Sequence, residues 1–174
     1  PTIGTFVGLG WRERAHEGLA FLFADQQPRA WNQWAEVVSH TPRIPFFLGD
    51  LPHAWVESDY VRSALDLFAY TRDDDQSLVI AAGLPVTWLD GEGVAVEGLR
   101  TPYGELGYTI RRERDRLVLA LSPGLKSPAG GIVLRWPYPQ KPGRTSIDGK
   151  QAQWQGDELR VPATPSQVTV EIPP

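Results

Sequence analysis

Trp31, Trp34, Glu36, Asp50, His53, Trp55, Glu57 and Asp59 fall within one short stretch of the chain. Indole faces stack against the C–H faces of sugar rings, and carboxylates hold hydroxyl groups or move protons. Glycoside hydrolysis needs two carboxylates flanking the scissile bond, one to donate a proton and one to activate water or to attack. Each residue also has a plainer reading. Tryptophan on an amphipathic helix is most often core. Glu36 reads equally well as a solvated carboxylate. His53, directly after Pro52, suits a capping or packing role better than a catalytic one.

The elements that hold these residues change character near residue 75. Before it, apolar residues recur at helical spacing; after it they alternate, punctuated by Gly and Pro. Trp11, Ala15, Leu19, Leu22 and Phe23 share one face of a 3.6-residue period, which predicts a helix over about 11–25. Gln26-Gln27-Pro28 breaks it. A second helix is expected over about 29–39, carrying Trp31, Trp34 and Glu36. The proline-rich loop "SHTPRIPFFLGDLPH" follows, with Pro42, Pro45 and Pro52. A third helix over about 53–70 has the apolar stripe Val56, Tyr60, Val61, Ala64, Leu65 and Phe68, with Glu57 early, where it suits the helix dipole. "VGLGW" near the start reads as a turn, and "TRDDDQ", Thr71 to Gln76, as a charged linker.

From Ser77 onward the signals are those of antiparallel strands. "SLVIAA", "VAVEGL", "GGIVLRW", "DELRV" and "QVTVEI" read as strands. "LGYTIRRE" and "RLVLAL" make a hairpin around Glu113 to Arg116. Asp148-Gly149 is the strongest short hairpin signal in the chain. About eight short strands with regular turns predict a β-sandwich. The expected fold class is therefore α+β, with N-terminal helices over 1–75 followed by an antiparallel β-sandwich over 76–174.

Bulk properties narrow the function classes. The chain has 174 residues, 41% hydrophobic and 22% charged, which is globular in character. Its formal net charge of -4 gives no nucleic-acid footprint. The absence of cysteine excludes disulfides, zinc–thiolate sites and cysteine catalysis, and leaves the compartment open. His16, His40 and His53 are too scattered for a metal cluster. No run approaches the ~18 apolar residues of a membrane span. The serine-nucleophile elbow, the phosphate-binding loop and the dinucleotide fingerprint are missing, so no cofactor is expected. The chain starts at Pro1 and contains no methionine, from which an excised piece of a larger protein is expected.

The order of these motifs sharpens the expectation. A helix, "W-N-Q-W-x-E", a proline-rich loop, "GDLPHAWVESDYVRS", a helix and a β domain together resemble the end of bacterial glycoside hydrolases built on an (α/α)6 barrel, the six-hairpin glycosidases. "HAWVESDYVRS" looks like the last-helix start of glucoamylase- and trehalase-like members. The stretch from "LVIAAGLPVTWLDGEG" to "RLVLAL" looks like the β-sandwich of α-rhamnosidase- and α-fucosidase-like enzymes. The resemblance spans about Trp11 to Pro139. It implies that Glu36 stands where the family has its general base, and that Trp31, Trp34, Asp50, His53 and Trp55 line a sugar site. The family's general acid lies on an earlier barrel hairpin. The implied function is thus a piece of a carbohydrate-active enzyme, acting with the remainder of its barrel on an oligosaccharide or glycoside.

A second class of function fits the tryptophans as well: a non-catalytic carbohydrate-binding or structural module. Trp88, Trp136 and Trp154 would form a stacking platform if exposed together on the sandwich, and would be core if buried. A sandwich that only closes the barrel is the plainest role for residues 77–174.

Overall fold

The computed structural model describes residues 2–26, 28–37, 39, 41, 44 and 49–174. Gln27, His40, Pro42 and Pro45, which figured in the sequence reading, lie outside the described residues, as does Val38 within the helix expected over 29–39. The chain divides into two compact units, Pro1–Leu67 and Phe68–Pro174. The expected α+β class, helices followed by a β-sandwich, is the observed one.

The first unit holds α1 (Thr2–Gly8), α2 (Arg12–Ala24) and α3 (Ala54–Asp66). α1 runs into the first two residues, Val7 and Gly8, of the stretch expected to be a turn. Ile3 and Val7, four residues apart, are both buried, and that burial outweighs the poor helix propensity of its glycines. The true turn is Leu9-Gly10, with Gly10 at φ 78°. α3 is capped by His53, whose Nδ1 accepts from the Val56 N–H at 3.4 Å, and Glu57 sits in its first turn. Asp66 packs against α1 at Gly4, where a Cβ would collide with its carboxylate. Burial pushes the Asp66 carboxyl up, against the opposing pull of Arg62.

Two helix expectations are corrected. The described residues of 29–39 do not form an α-helix: a single 3-10 turn spans Arg29–Trp31 and stops at Asn32, which is left-handed at φ 52°. Beyond it the backbone groups of 34–37 bond to residues 49–53 rather than to each other four residues apart. The third helix stops at Asp66 rather than near 70, because residues 69–72 find strand partners. The unit boundary accordingly falls at Leu67/Phe68 rather than at 75/76.

The second unit contains ten strands among the described residues. Four form a sheet in the order β1-β2-β6-β9: β1 (Ala69–Arg72), β2 (Ser77–Ile80), β6 (Ile132–Arg135) and β9 (Glu158–Val161). Six form a second sheet in the order β3-β4-β5-β10-β7-β8: β3 (Val94–Thr101), β4 (Gly104–Glu113), β5 (Arg116–Leu121), β7 (Thr145–Ile147), β8 (Lys150–Gln151) and β10 (Ser166–Glu171). All pairings are antiparallel except β2 with β6. Alternation sends Leu106, Tyr108 and Ile110 of β4, and Leu117, Leu119 and Leu121 of β5, to the inside. They meet Leu78, Ile80, Ile132, Leu134, Leu159 and Val161 of the smaller sheet in one core. The fully buried Tyr108 donates its hydroxyl to the Phe68 carbonyl at 2.9 Å. Asp148-Gly149 makes the expected hairpin turn, with both residues at positive φ.

"TRDDDQ" is not a linker: it is the end of β1 and the tight turn into β2. Register places Tyr70, Val79, Val133 and Arg160 in one cross-strand row on the outer face of the smaller sheet. Arg72 shares that face and crosses it. Its guanidinium donates to both Asp75 oxygens, at 3.0 and 2.8 Å, and to both Glu158 oxygens, at 2.6 and 3.0 Å. Asp75 also accepts from the Ser77 hydroxyl at 2.6 Å and from Arg160 at 2.6 Å. Gly130 completes the corner, since a Cβ there would collide with the Asp75 backbone.

Donation from the Arg72 guanidinium, then from Ser77 and Arg160, holds the Asp75 carboxyl well below the usual carboxylate range. A carboxylate depressed on folding stabilises fully above its unfolded pKa of about 3.9 and loses that contribution as pH falls below it. The urea midpoint of the native chain is therefore expected to drop between neutral pH and pH about 3. In Asp75→Asn the midpoint starts lower at neutral pH and falls less steeply; equal slopes in the two proteins would remove Asp75 from the acid response.

Candidate functional site

Three backbone hydrogen bonds tie the strip 34–37 to the strip 49–53. The Glu36 N–H donates to the Asp50 carbonyl at 2.9 Å, the Gly49 N–H to Val37 at 3.4 Å and the His53 N–H to Trp34 at 3.0 Å. The approach requires glycine at 49: a Cβ there would lie 2.7 Å from the Val37 nitrogen and 2.8 Å from the Glu36 Cβ. This pairing brings Trp34, Glu36, Asp50 and His53 together across the proline-rich loop.

The four differ in what they offer. Trp34 is half-buried; its indole N–H donates to the Leu22 carbonyl at 3.0 Å, and its ring stacks on Tyr60 at 4.3 Å and 26°. A cavity of about 220 Å³ opens beside that stack, walled by Leu22, Trp34, Val56 and Tyr60 with Asp59 at its margin. Burial pushes the Tyr60 hydroxyl up. Glu36 and Asp50 are exposed, and Glu36 makes no ion pair among the described residues. His53 is spent on the α3 cap. Trp31 and Trp55 are open to solvent, at 59% and 73% exposure. Tyr60 entered the sequence reading only as part of an apolar stripe, and its partnership with Trp34 carries no local signal because 26 positions separate them.

A second concavity belongs to the β unit. It is a groove of about 790 Å³ between the segment after β6 and the segment after β8. Trp136 packs edge-on against Trp154 at 5.5 Å and 71°, and against Tyr138 at 5.1 Å. Both indole nitrogens are committed within the protein: Trp136 donates to the Gln140 carbonyl, and Trp154 to the Thr145 hydroxyl at 2.8 Å. Trp88 stands apart, stacked on Phe68 at 6.5 Å. The three sandwich tryptophans thus make no common platform, since Trp136 is buried, Trp154 half-buried and Trp88 exposed.

Among the described residues no group of three His, Asp or Glu side chains could hold a metal ion, and no helix is long and apolar enough to cross a membrane. Comparison with protein-family models, with curated proteins and with solved structures finds no match to the chain.

If Gly49 is what allows the two strips to pair, Gly49→Ala should open them. Amide exchange at Glu36 and His53 is expected to accelerate by at least about tenfold, roughly 1.4 kcal/mol of local stability, while the core amides of β4 and β5 keep their protection. Unchanged exchange at Glu36 would show that the strip pairing does not depend on Gly49.

Proposed function

We propose that the chain is part of a carbohydrate-active enzyme, a glycoside hydrolase of the six-hairpin type, whose helical unit supplies one wall of the sugar site. The observation that carries this reading is the strip pairing: it sets the exposed carboxylates of Glu36 and Asp50 on adjacent backbone, next to the Trp34–Tyr60 stack. In this reading Glu36 is the general base. An exposed carboxylate on a restrained backbone can take a proton from a water held at the anomeric carbon, and Asp50 holds a hydroxyl of the same sugar. Trp31 and Trp55, which already lie open, offer faces to neighbouring rings, and His53 fixes the helix that carries Trp55. The proton for the leaving group comes from the remainder of the parent barrel, and the β-sandwich closes that assembly.

One observation favours the second reading, a non-catalytic carbohydrate-binding module: the aromatic groove of the β unit has no counterpart in the hydrolase reading.

The chain by itself is expected to release no aryl alcohol from aryl glycosides, because it supplies one member of the acid–base pair. Turnover that disappears in Glu36→Gln would place both members within this chain and overturn that assignment. Oligosaccharides are expected to quench tryptophan fluorescence. Trp31→Ala and Trp55→Ala, both solvent-exposed changes, should each weaken that binding roughly threefold to tenfold, as the loss of one stacking contact does.

A further inference from the structure

We propose that the groove of the β unit is a binding site of its own for short anionic oligosaccharides, independent of the helical unit. Its aromatic wall is the half-buried Trp154, backed by the buried Trp136, and its indole N–H is already satisfied by Thr145. A face without a free donor suits the C–H surface of a pyranose. Gln151 and Gln153 line the groove, both exposed. Each amide provides a donor and an acceptor, the complement of vicinal hydroxyls.

The charge of the groove selects among sugars. Lys141 and Arg144 line it and are exposed, and neither pairs with a carboxylate among the described residues. The acidic lining residue, Asp157, is taken by Arg135 at 3.0 Å. On a chain of net charge -4, two uncommitted cations at one aromatic groove favour a carboxylate or sulfate on the ligand. Arg144 is held in place by its backbone: its carbonyl accepts from Glu171, and the neighbouring Gly143 N–H donates back to Glu171 at 2.9 Å. The volume, about 790 Å³, lies within the ~300–1,000 Å³ of small-molecule sites.

The test is calorimetric titration of the full chain with a galacturonate trisaccharide, a sulfated chondroitin tetrasaccharide and neutral cellotriose. At least one anionic ligand should bind about tenfold tighter than cellotriose and weaken at high salt; which one binds distinguishes a carboxylate from a sulfate. The double variant Lys141→Gln/Arg144→Gln, whose side chains form no ion pair among the described residues, should weaken that binding about fivefold to tenfold. Trp31→Ala/Trp55→Ala should leave it unchanged, which separates this site from the helical one. The proposal is overturned by an absence of anionic binding, by equal affinity for cellotriose, by indifference to the Lys141/Arg144 change, or by loss in the Trp31/Trp55 variant.

Discussion

The Arg72 guanidinium ties the two edge strands of the smaller sheet together, with Arg160 bonded to the same Asp75. It reaches from the edge strand β1 to the opposite edge strand β9. Four charge-assisted hydrogen bonds from one planar group satisfy two carboxylates at once. That geometry is what makes a partly buried ion pair favourable; removing Arg72 would leave Glu158 without its partner and Asp75 with only Ser77 and Arg160. Lysine could not replace Arg72, since a point charge has no fork to share between Asp75 and Glu158.

The two units solve the problem of placing polar groups differently. In the β unit, strand register places them, and the aromatic groove rests on loops pinned to β10 and to the core. In the helical unit, placement rests on three backbone hydrogen bonds between strips and on one glycine. Such a strip pair is a small cooperative element with solvent-exposed bonds. Glu36 is consequently oriented by backbone rather than by side-chain partners, which leaves its carboxylate open to solvent and to whatever ligand approaches.

Much of the fold was legible because its signals are local. The alternation in β4 and β5 and the Asp148-Gly149 turn name their own partners within a few residues. The same locality explains the misses. Ala69 and Tyr70 follow α3 after only Leu67 and Phe68, so the first half of β1 reads as more helix and the second half as linker until Ser77–Ile80 is available to pair with it. Residues 34–37 read as helix because their competing partners, 49–53, lie beyond a proline-rich loop. Of the candidate site, the residue types were legible and the partnerships were not: Tyr60 under Trp34 and Gly49 against Glu36 are tertiary facts. The groove was least visible of all, since Lys141, Arg144 and Gln153 sit in irregular segments and Gln151 ends a two-residue strand, with no period to announce a shared face.

The parallel pairing of β2 with β6 has a temporal consequence. β1 and β2 can form their hairpin at once, but β6 begins at Ile132, after β3, β4 and β5 have been laid down. β9 comes later still, and the contact between Arg72 and Glu158 closes a separation of 86 residues. Contacts of such sequence distance carry the largest loop-closure cost and form after local ones. During synthesis, then, the β2 edge that will receive β6 stands unpaired while the larger sheet's meander assembles. The strap across the smaller sheet forms late among these bonds, so that sheet is sealed only once β9 has been made.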